Sequence, residues 1–210
     1  HPEAALNDCK QVVGHTPWPP PAGRKCFTRP GGLYQTMLQK LVPYRARAVL
    51  WYQGEEDTAH AGCYAVLLRT LLADWRQDFA NEQLPFLVVQ LPSSQAAQAG
   101  KAADSWAALR AAQLEVVRTT EHTGLVVMID TGEAYNVHPL DKRPAAQRLL
   151  RLARAMLYEK TDAAQAPYCD AISMQGECAH LHFHIFPGDA LGMPDEGLRG
   201  FTLCGRDGIF

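Results

Sequence analysis

The 210-residue sequence has no apolar run approaching the roughly 20 residues that a membrane-spanning helix needs. Its 20 basic and 22 acidic residues leave a net charge of −2. That balance offers no electrostatic attraction to nucleic acid or to an anionic membrane, and neither is expected as a partner. The six cysteines (Cys9, Cys26, Cys63, Cys169, Cys178, Cys204) include no C-x-x-C pair, which removes the usual spacing signals for zinc or a redox motif. Cys169 and Cys178 are the local pair best suited to a disulfide, with reduced and idle thiols as the alternative, so the compartment stays open. No signal peptide follows His1, and the chain is expected to be processed or a piece of something longer. Serine is scarce. Ser93, Ser94, Ser105 and Ser173 are the whole supply, and none stands in the glycine-rich strand-to-helix turn that exposes a nucleophilic hydroxyl.

What is present suits a globular core. The chain is 47% hydrophobic and 20% charged, ordinary values for a folded domain. Residues 1–31 are rich in Pro and Gly (WPPPAG, RPGG) and read as a loop-like lead-in. Leu33, Met37 and Leu41 then fall on one helical face. ARAVLWY (46–52) predicts a short strand buried on both faces. Tyr64, Leu67, Leu68, Leu71, Leu72, Trp75 and Phe79 form an amphipathic stripe over about four turns. FLVVQL (86–91), closed by Pro92, predicts a second buried strand. A helix is expected to start at Asp104 or Ser105 and to continue through Trp106, Leu109, Gln113, Val116 and Val117. LVVMI (125–129) predicts a third strand, and Leu149, Leu152, Ala153, Met156 and Leu157 a fourth helix. This alternation specifies an α/β fold, a parallel sheet flanked by helices on both faces. From about Pro167 the texture changes. AISMQ, HLHFHIF and FTLCG are short segments separated by Gly, Pro and Asp, the pattern of antiparallel structure. A β-rich C-terminal segment is expected to begin here.

In an open α/β sheet, ligands bind at the carboxyl ends of the strands. Those ends run into Gln53-Gly54-Glu55-Glu56-Asp57, into Pro92-Ser93-Ser94-Gln95, and into Asp130-Thr131-Gly132-Glu133 followed by Asn136-Val137-His138-Pro139. Polar and ionisable groups therefore converge on one rim. His138 is the natural general base there, since a neutral imidazole takes a proton near neutral pH. A lone loop histidine is more often structural or solvated. Gln53 has an amide N–H to offer a developing oxyanion, or it bonds only backbone. Glu55 and Asp130 are candidates to orient the histidine, and carboxylates at such positions also cap helices.

The order of local blocks narrows these alternatives. LWYQGEEDT resembles the W-Y-Q-G-E-[S/T]-[N/D] block of the sialate O-acetylesterases, which are SGNH-like carbohydrate esterases. Asp74-Trp75-Arg76, Leu84-Pro85-Phe86 with Val89-Gln90-Leu91, and Trp106…Leu109-Arg110…Gln113 resemble the blocks that follow. So do Asp130…His138-Pro139-x-x-Lys142…Arg148-Leu149 and, near the end, Gly200-Phe201 with Gly205-Arg206-Asp207-Gly208. The likeness covers about residues 33–210, in the right order.

The resemblance implies an SGNH-hydrolase-like domain over 33–160 that lacks its first strand, preceded by the lead-in 1–32 and followed by the start of a β-rich segment at 161–210. It implies a serine esterase that removes O-acetyl groups from sialic acid or other acetylated sugars, in which His138 accepts the serine proton and Gln53 holds the oxyanion. The family's serine lies in a G-Q-S-N block that this chain does not contain. The nucleophile is therefore expected from an N-terminal segment or a second chain, and a strand from that source is expected beside 46–52 or 86–91. Two further departures stand out. Asn136 and Tyr135 occupy the positions two and three residues before the histidine, where many SGNH hydrolases have Asp, and Glu56 replaces a small residue. No cofactor is expected. His180, His182 and His184 alternate on one strand face, spaced about 7 Å apart, too stretched for all three to reach one zinc; a solvated or hydrogen-bonded face is expected. Trp18 with Pro19, Pro20 and Pro21 reads as a rigid loop rather than a polyproline ligand. The rival readings are a non-catalytic carbohydrate-binding relative and, disfavoured by the polar rim, a lipase or thioesterase.

Overall fold

The computed structural model describes residues 32–94, 102–160, 165–186, 190–192, 195 and 201. The lead-in over 1–31 and nearly all of the expected FTLCG strand lie outside these residues. The chain divides into two compact units, His1–Gln165 and Ala166–Phe210.

The first unit is built on three parallel strands in the order β1 (Val49–Tyr52), β2 (Phe86–Val89) and β3 (Thr123–Val126). Every residue of FLVV in β2 is fully buried, as its continuous apolar run predicts. The register matches Val49 with Phe86 and Phe86 with Thr123, then Tyr52 with Val89 and Val89 with Val126. All three strands therefore end level, and the loops that follow them start from one rim. The third strand begins two residues before the expected run and ends at Val126, so Met128 and Ile129 already belong to its exit loop.

Helices cover both faces. After a short helix α1 (Gly32–Thr36), helix α2 (Ala61–Asp78) and helix α3 (Ala102–Thr119) pack on one face, where Tyr64, Leu68, Leu72, Leu109 and Val116 meet Phe86. Helix α4 (Arg143–Tyr158) covers the other face, where Leu152 and Ala145 meet Leu87, Val89 and Val126. The period-2 alternation of β2 divides its side chains between the two clusters. Gly124 sets the closeness of α4, because a Cβ there would lie 2.7 Å from Met156 Sδ and 2.8 Å from Leu152 Cδ1. Helix α3 starts at Ala102, two residues ahead of the expected Asp104. Pro144 sits in the first turn of α4, where its missing N–H has no intrahelical partner to lose.

Two expectations fail in this unit. Strand β1 is not buried on both faces. Val49 and Trp51 pack toward α2 and α3, and Tyr52 packs toward the α4 cluster, yet Leu50 is 60% exposed. Among the described residues no strand pairs with the outer edge of β1, whereas β2 is paired on both sides. The apolar face Leu33/Met37/Leu41 is also exposed. The helix there stops at Thr36 and gives way to a 3₁₀ turn at Leu38–Lys40, so no continuous stripe forms.

The second unit is a hairpin of antiparallel β4 (Tyr168–Gln175) and β5 (Cys178–His184), turned at Gly176 with φ +62°. His180, His182 and His184 share one exposed face, as the alternation predicts. His182 is hydrogen-bonded to Ser173 at 3.0 Å, and His184 stacks on Tyr168 with ring centroids 5.0 Å apart. The suggested Cys169–Cys178 disulfide is corrected, since both thiols are free. The register explains this. Cys178 adjoins the turn opposite Gln175 while Cys169 lies opposite Phe183 at the far end, six residues or about 20 Å along the strand. Cys63 in α2 is disulfide-bonded.

Candidate active site

The loop after β1 is held from three directions. The Gln53 carbonyl accepts hydrogen bonds from Tyr64 Oη of α2 at 3.1 Å and from Gln113 Nε2 of α3 at 3.1 Å. Its side-chain Nε2 donates to Asp57 Oδ2 at 2.5 Å, and its Oε1 lies 3.3 Å from the same Tyr64 hydroxyl. Trp51 Nε1 in turn donates to Tyr64 Oη at 3.2 Å. Burial pushes the Tyr64 phenol up, so it stays neutral and keeps its donor proton. Gly54 adopts φ +147°, and a Cβ there would meet Leu109 Cδ2 at 2.8 Å. The residue is glycine because α3 approaches this loop so closely.

Gln113 is the staple of this rim. It is completely buried; its Oε1 accepts from the Leu91 N–H at 3.1 Å while its Nε2 reaches Gln53. One amide therefore ties the exits of β1 and β2 to α3, and leaving the buried Leu91 N–H unmatched would be costly. Trp106 Nε1 adds a bond to the Pro92 carbonyl at 2.9 Å, and Gln90 Nε2 one to the Arg110 carbonyl at 3.1 Å.

The exits of β2 and β3 also interlock. Ser93 Oγ donates to the Ile129 carbonyl, and the Ser93 N–H donates to Thr131 O at 3.0 Å. Gly132 crosses so close above that a Cβ would stand 2.0 Å from Ser93 O, with φ at +116°. No side chain fits there. Ser94 Oγ is buried, with no hydrogen-bond partner among the described residues.

Asp130 is engaged by Arg148 of α4 in a two-pronged pair, both contacts at 2.6 Å, and the same guanidinium donates to Val127 O at 2.6 Å. The hydrogen bond from Arg148 holds the Asp130 carboxyl below its usual range. Glu55 opens the 3₁₀ turn Glu56–His60 and makes no side-chain capping bond; its carbonyl accepts from Thr58 Oγ1 at 3.0 Å. His138 is exposed between half-buried Val137 and buried Pro139. Its backbone N–H donates to Asn136 Oδ1 at 3.0 Å. Among the described residues neither Asp130 nor Glu55 is hydrogen-bonded to the His138 ring.

The structure thus places Gln53, Glu55, Asp130 and His138 on the loops of one rim, engages Asp130 with Arg148, and joins Gln53 to a residue the sequence reading passed over. That residue is Asp57. Its signal was present, because a carboxylate four residues after an amide can meet it across one helical turn. Gln113 had a signal as well, a polar residue at an apolar position of the α3 stripe. At the far edge of the rim, Asp141 accepts from Arg143, which holds the Asp141 carboxyl at about 2. Lys142 Nζ lies over the Tyr52 ring, 5.0 Å from its centroid, and links the start of α4 to the end of β1.

Comparison with known proteins agrees with the fold. The chain resembles the crystal structure of a carbohydrate acetylesterase from Xanthomonas citri, with 33% sequence identity and a TM-score of 0.68 over 73% of this chain. It spans about a third of that protein's length, 35%. No curated protein matches. Residues 21–158 match the family described as carbohydrate esterase, sialic acid-specific acetylesterase. Because that match covers more than half of the chain, the chain belongs to the sialic acid-specific acetylesterase family of carbohydrate esterases.

Proposed function

We propose that this chain carries the base and the oxyanion-binding half of an esterase that removes O-acetyl groups from sialic acid or related acetylated sugars. The observation that carries the reading is the double anchoring of Gln53. Its main chain is fixed by Tyr64 and Gln113 and one amide hydrogen by Asp57, leaving the second amide hydrogen to point at a developing oxyanion. His138 stands exposed on the loop after β3, free to reach a nucleophile. In the reaction so framed, a serine hydroxyl attacks the acetyl carbonyl as His138 takes its proton. The tetrahedral oxyanion collapses, and the sugar hydroxylate leaves with the proton from His138. Water then hydrolyses the acetyl-enzyme by the same route.

The serine comes from an N-terminal segment or a second chain. Of the serines described in full, Ser93 is bonded to the Ile129 carbonyl, Ser94 is buried and Ser173 belongs to the hairpin. The outer edge of β1, unpaired among the described residues, and the exposed Leu50 beside it support a strand docking there. Asp130, already paired with Arg148, acts as a brace for the loop. Tyr135 and Leu140, 86% and 84% exposed on either side of His138, give a sugar ring an apolar surface to lie on.

The test is to assay the whole polypeptide on an O-acetylated sialic acid and on an acetylated hexose, with Gln53→Ala and His138→Ala alongside. Loss of turnover in both variants is expected, together with a preference for the sialic acid. Full activity in either variant would overturn the assignment of that residue. Equal turnover of the two sugars would remove the sialic acid part. No turnover by the wild-type polypeptide, with retained sugar binding, would establish the non-catalytic binding relative instead.

A further inference from the structure

We infer that Glu133 is the positioning residue of His138, fixing the histidine through the backbone on both sides of it rather than through its ring. The inference rests on the reading of His138 as general base.

Glu133 stands five residues before His138, where the chain makes a tight turn closed by a bridge between Glu133 and Asn136. Its carboxylate divides its two oxygens. Oε1 accepts the Leu140 backbone N–H at 2.5 Å, and Oε2 accepts Asn136 Nδ2 at 3.1 Å. Asn136 then uses its own Oδ1 to accept the His138 N–H at 3.0 Å. The segment 138–140 has only two backbone donors, because Pro139 has none. Glu133 holds one of them directly and the other through Asn136.

Packing completes the clamp. Val137 packs against the α2/α3 core cluster and Pro139 is buried. The residues flanking His138 are thus drawn inward while His138 faces out. Gly132, which cannot carry a side chain beneath Ser93, sets the point from which the turn departs. This arrangement gives a role to the departure at 135 and 136. Asn136 supplies an acceptor for the His138 amide and a donor for Glu133, and an aspartate there could not donate. The negative charge of the loop sits at Glu133 instead and acts on two N–H groups.

A positioning residue should act only through the residue it positions. In the whole polypeptide, Glu133→Ala is expected to lower kcat by on the order of 10²-fold with KM little changed, the scale of a displacement of about 1 Å in a reacting group. Glu133→Gln keeps one acceptor oxygen and should lose less. The deciding measurement is the cycle with His138→Ala, whose residual activity is measurable because a triad stripped of one member still exceeds water. In that background Glu133→Ala should cost nothing further. An equal loss in both backgrounds would show a general structural role and overturn the inference, as would full activity of Glu133→Ala in the wild-type background. If His138→Ala itself keeps full activity, the base assignment fails instead, and the two failures are distinguishable. Should Glu133→Ala not fold, Glu133→Gln takes its place in the same cycle, with amide hydrogen exchange at Leu140 as the second readout. The retained oxygen serves only one of the two donors, so unchanged exchange at both His138 and Leu140 in Glu133→Gln would count against the clamp.

Discussion

The loops that carry Gln53 and His138 leave the same sheet at the same level, yet they are held in opposite ways. Gln53 is fixed from a distance, by Tyr64 on α2 and Gln113 on α3, 11 and 60 residues away in sequence. Its one local bond, to Asp57, spans a single turn. His138 is fixed locally, by Asn136 two residues before it and by Glu133, whose other oxygen binds Leu140. The difference follows from where the helices lie. Helices α2 and α3 pack directly against the exit of β1, and Gly54 lets α3 come close. The loop after β3 is tied at its start to Ser93 and Arg148 and at Val137 to the core, but the hydrogen bonds around His138 come from its own residues. A group held from a distance fails when the fold loosens. A group held locally fails only when its own loop is edited.

The largest expected effect tests whether the locally held histidine is the base. In the whole polypeptide, His138→Ala should lower kcat by a factor on the order of 10³ or more, with the thermal midpoint nearly unchanged because the side chain is exposed. A drop of less than about tenfold would take His138 out of the mechanism.

Next in size is the remote anchor. Gln113→Leu leaves the buried Leu91 N–H without its partner and the Gln53 carbonyl with Tyr64 alone, at about 1–3 kcal/mol for the unmatched donor. A fall in urea stability of about 1–3 kcal/mol is expected, with hydrogen exchange rising at Leu91 and not at Leu140. If both loops loosen equally, the two are not independently held and the contrast between them dissolves.

Asp57→Ala is a smaller edit on the same loop. It releases one amide hydrogen of Gln53 and leaves both main-chain anchors intact. A kcat loss of roughly tenfold is expected, well short of the 10²–10³ for removing an oxyanion donor outright, with KM little changed. A loss as large as that of Gln53→Ala would mean that the side chain has no other support.

The smallest effect concerns the brace under the β3 exit. Arg148 depresses the Asp130 carboxyl in the folded state, so this pair stabilises the fold above the ordinary carboxylate range and loses its contribution as pH falls through the depressed value. The Asp130 side chain is 60% exposed, which limits the pair to about 1 kcal/mol. Asp130→Asn should therefore lower the urea midpoint slightly at pH 6, and the gap should close well below pH 4. A gap that persists in acid would assign the effect to something other than the charge pair.

Much of the site could be read in advance because it follows rules with a short range. The strand runs at 46–52 and 86–91 end where polar residues begin, and parallel strands put those ends on one side. His138 before Pro139 is legible for the same reason. The bracket around it was nearly so, since all its members lie within eight residues, but the choice of Glu133 over Asp130 depends on where Arg148 reaches. The pairing of Cys169 with Cys178 failed because sequence spacing does not give strand register, and the hairpin separates them by its length. The burial of Leu50 failed because an apolar run shows what a strand can bury and not which neighbours are there to bury it.

The order of strands and helices, the parallel sheet and the membership of the rim were determined by the sequence itself, through period, turn residues and the ends of apolar runs. The tertiary structure decided which rim residues hold one another. It gave Asp130 to Arg148, Gln53 to Tyr64 and Gln113, and, among the described residues, bonded neither expected carboxylate to the His138 ring. The physical reason is one of range. Periodicity and propensity act over a few residues, whereas a hydrogen bond across 60 residues exists only once packed helices bring its donor within about 3 Å of its acceptor.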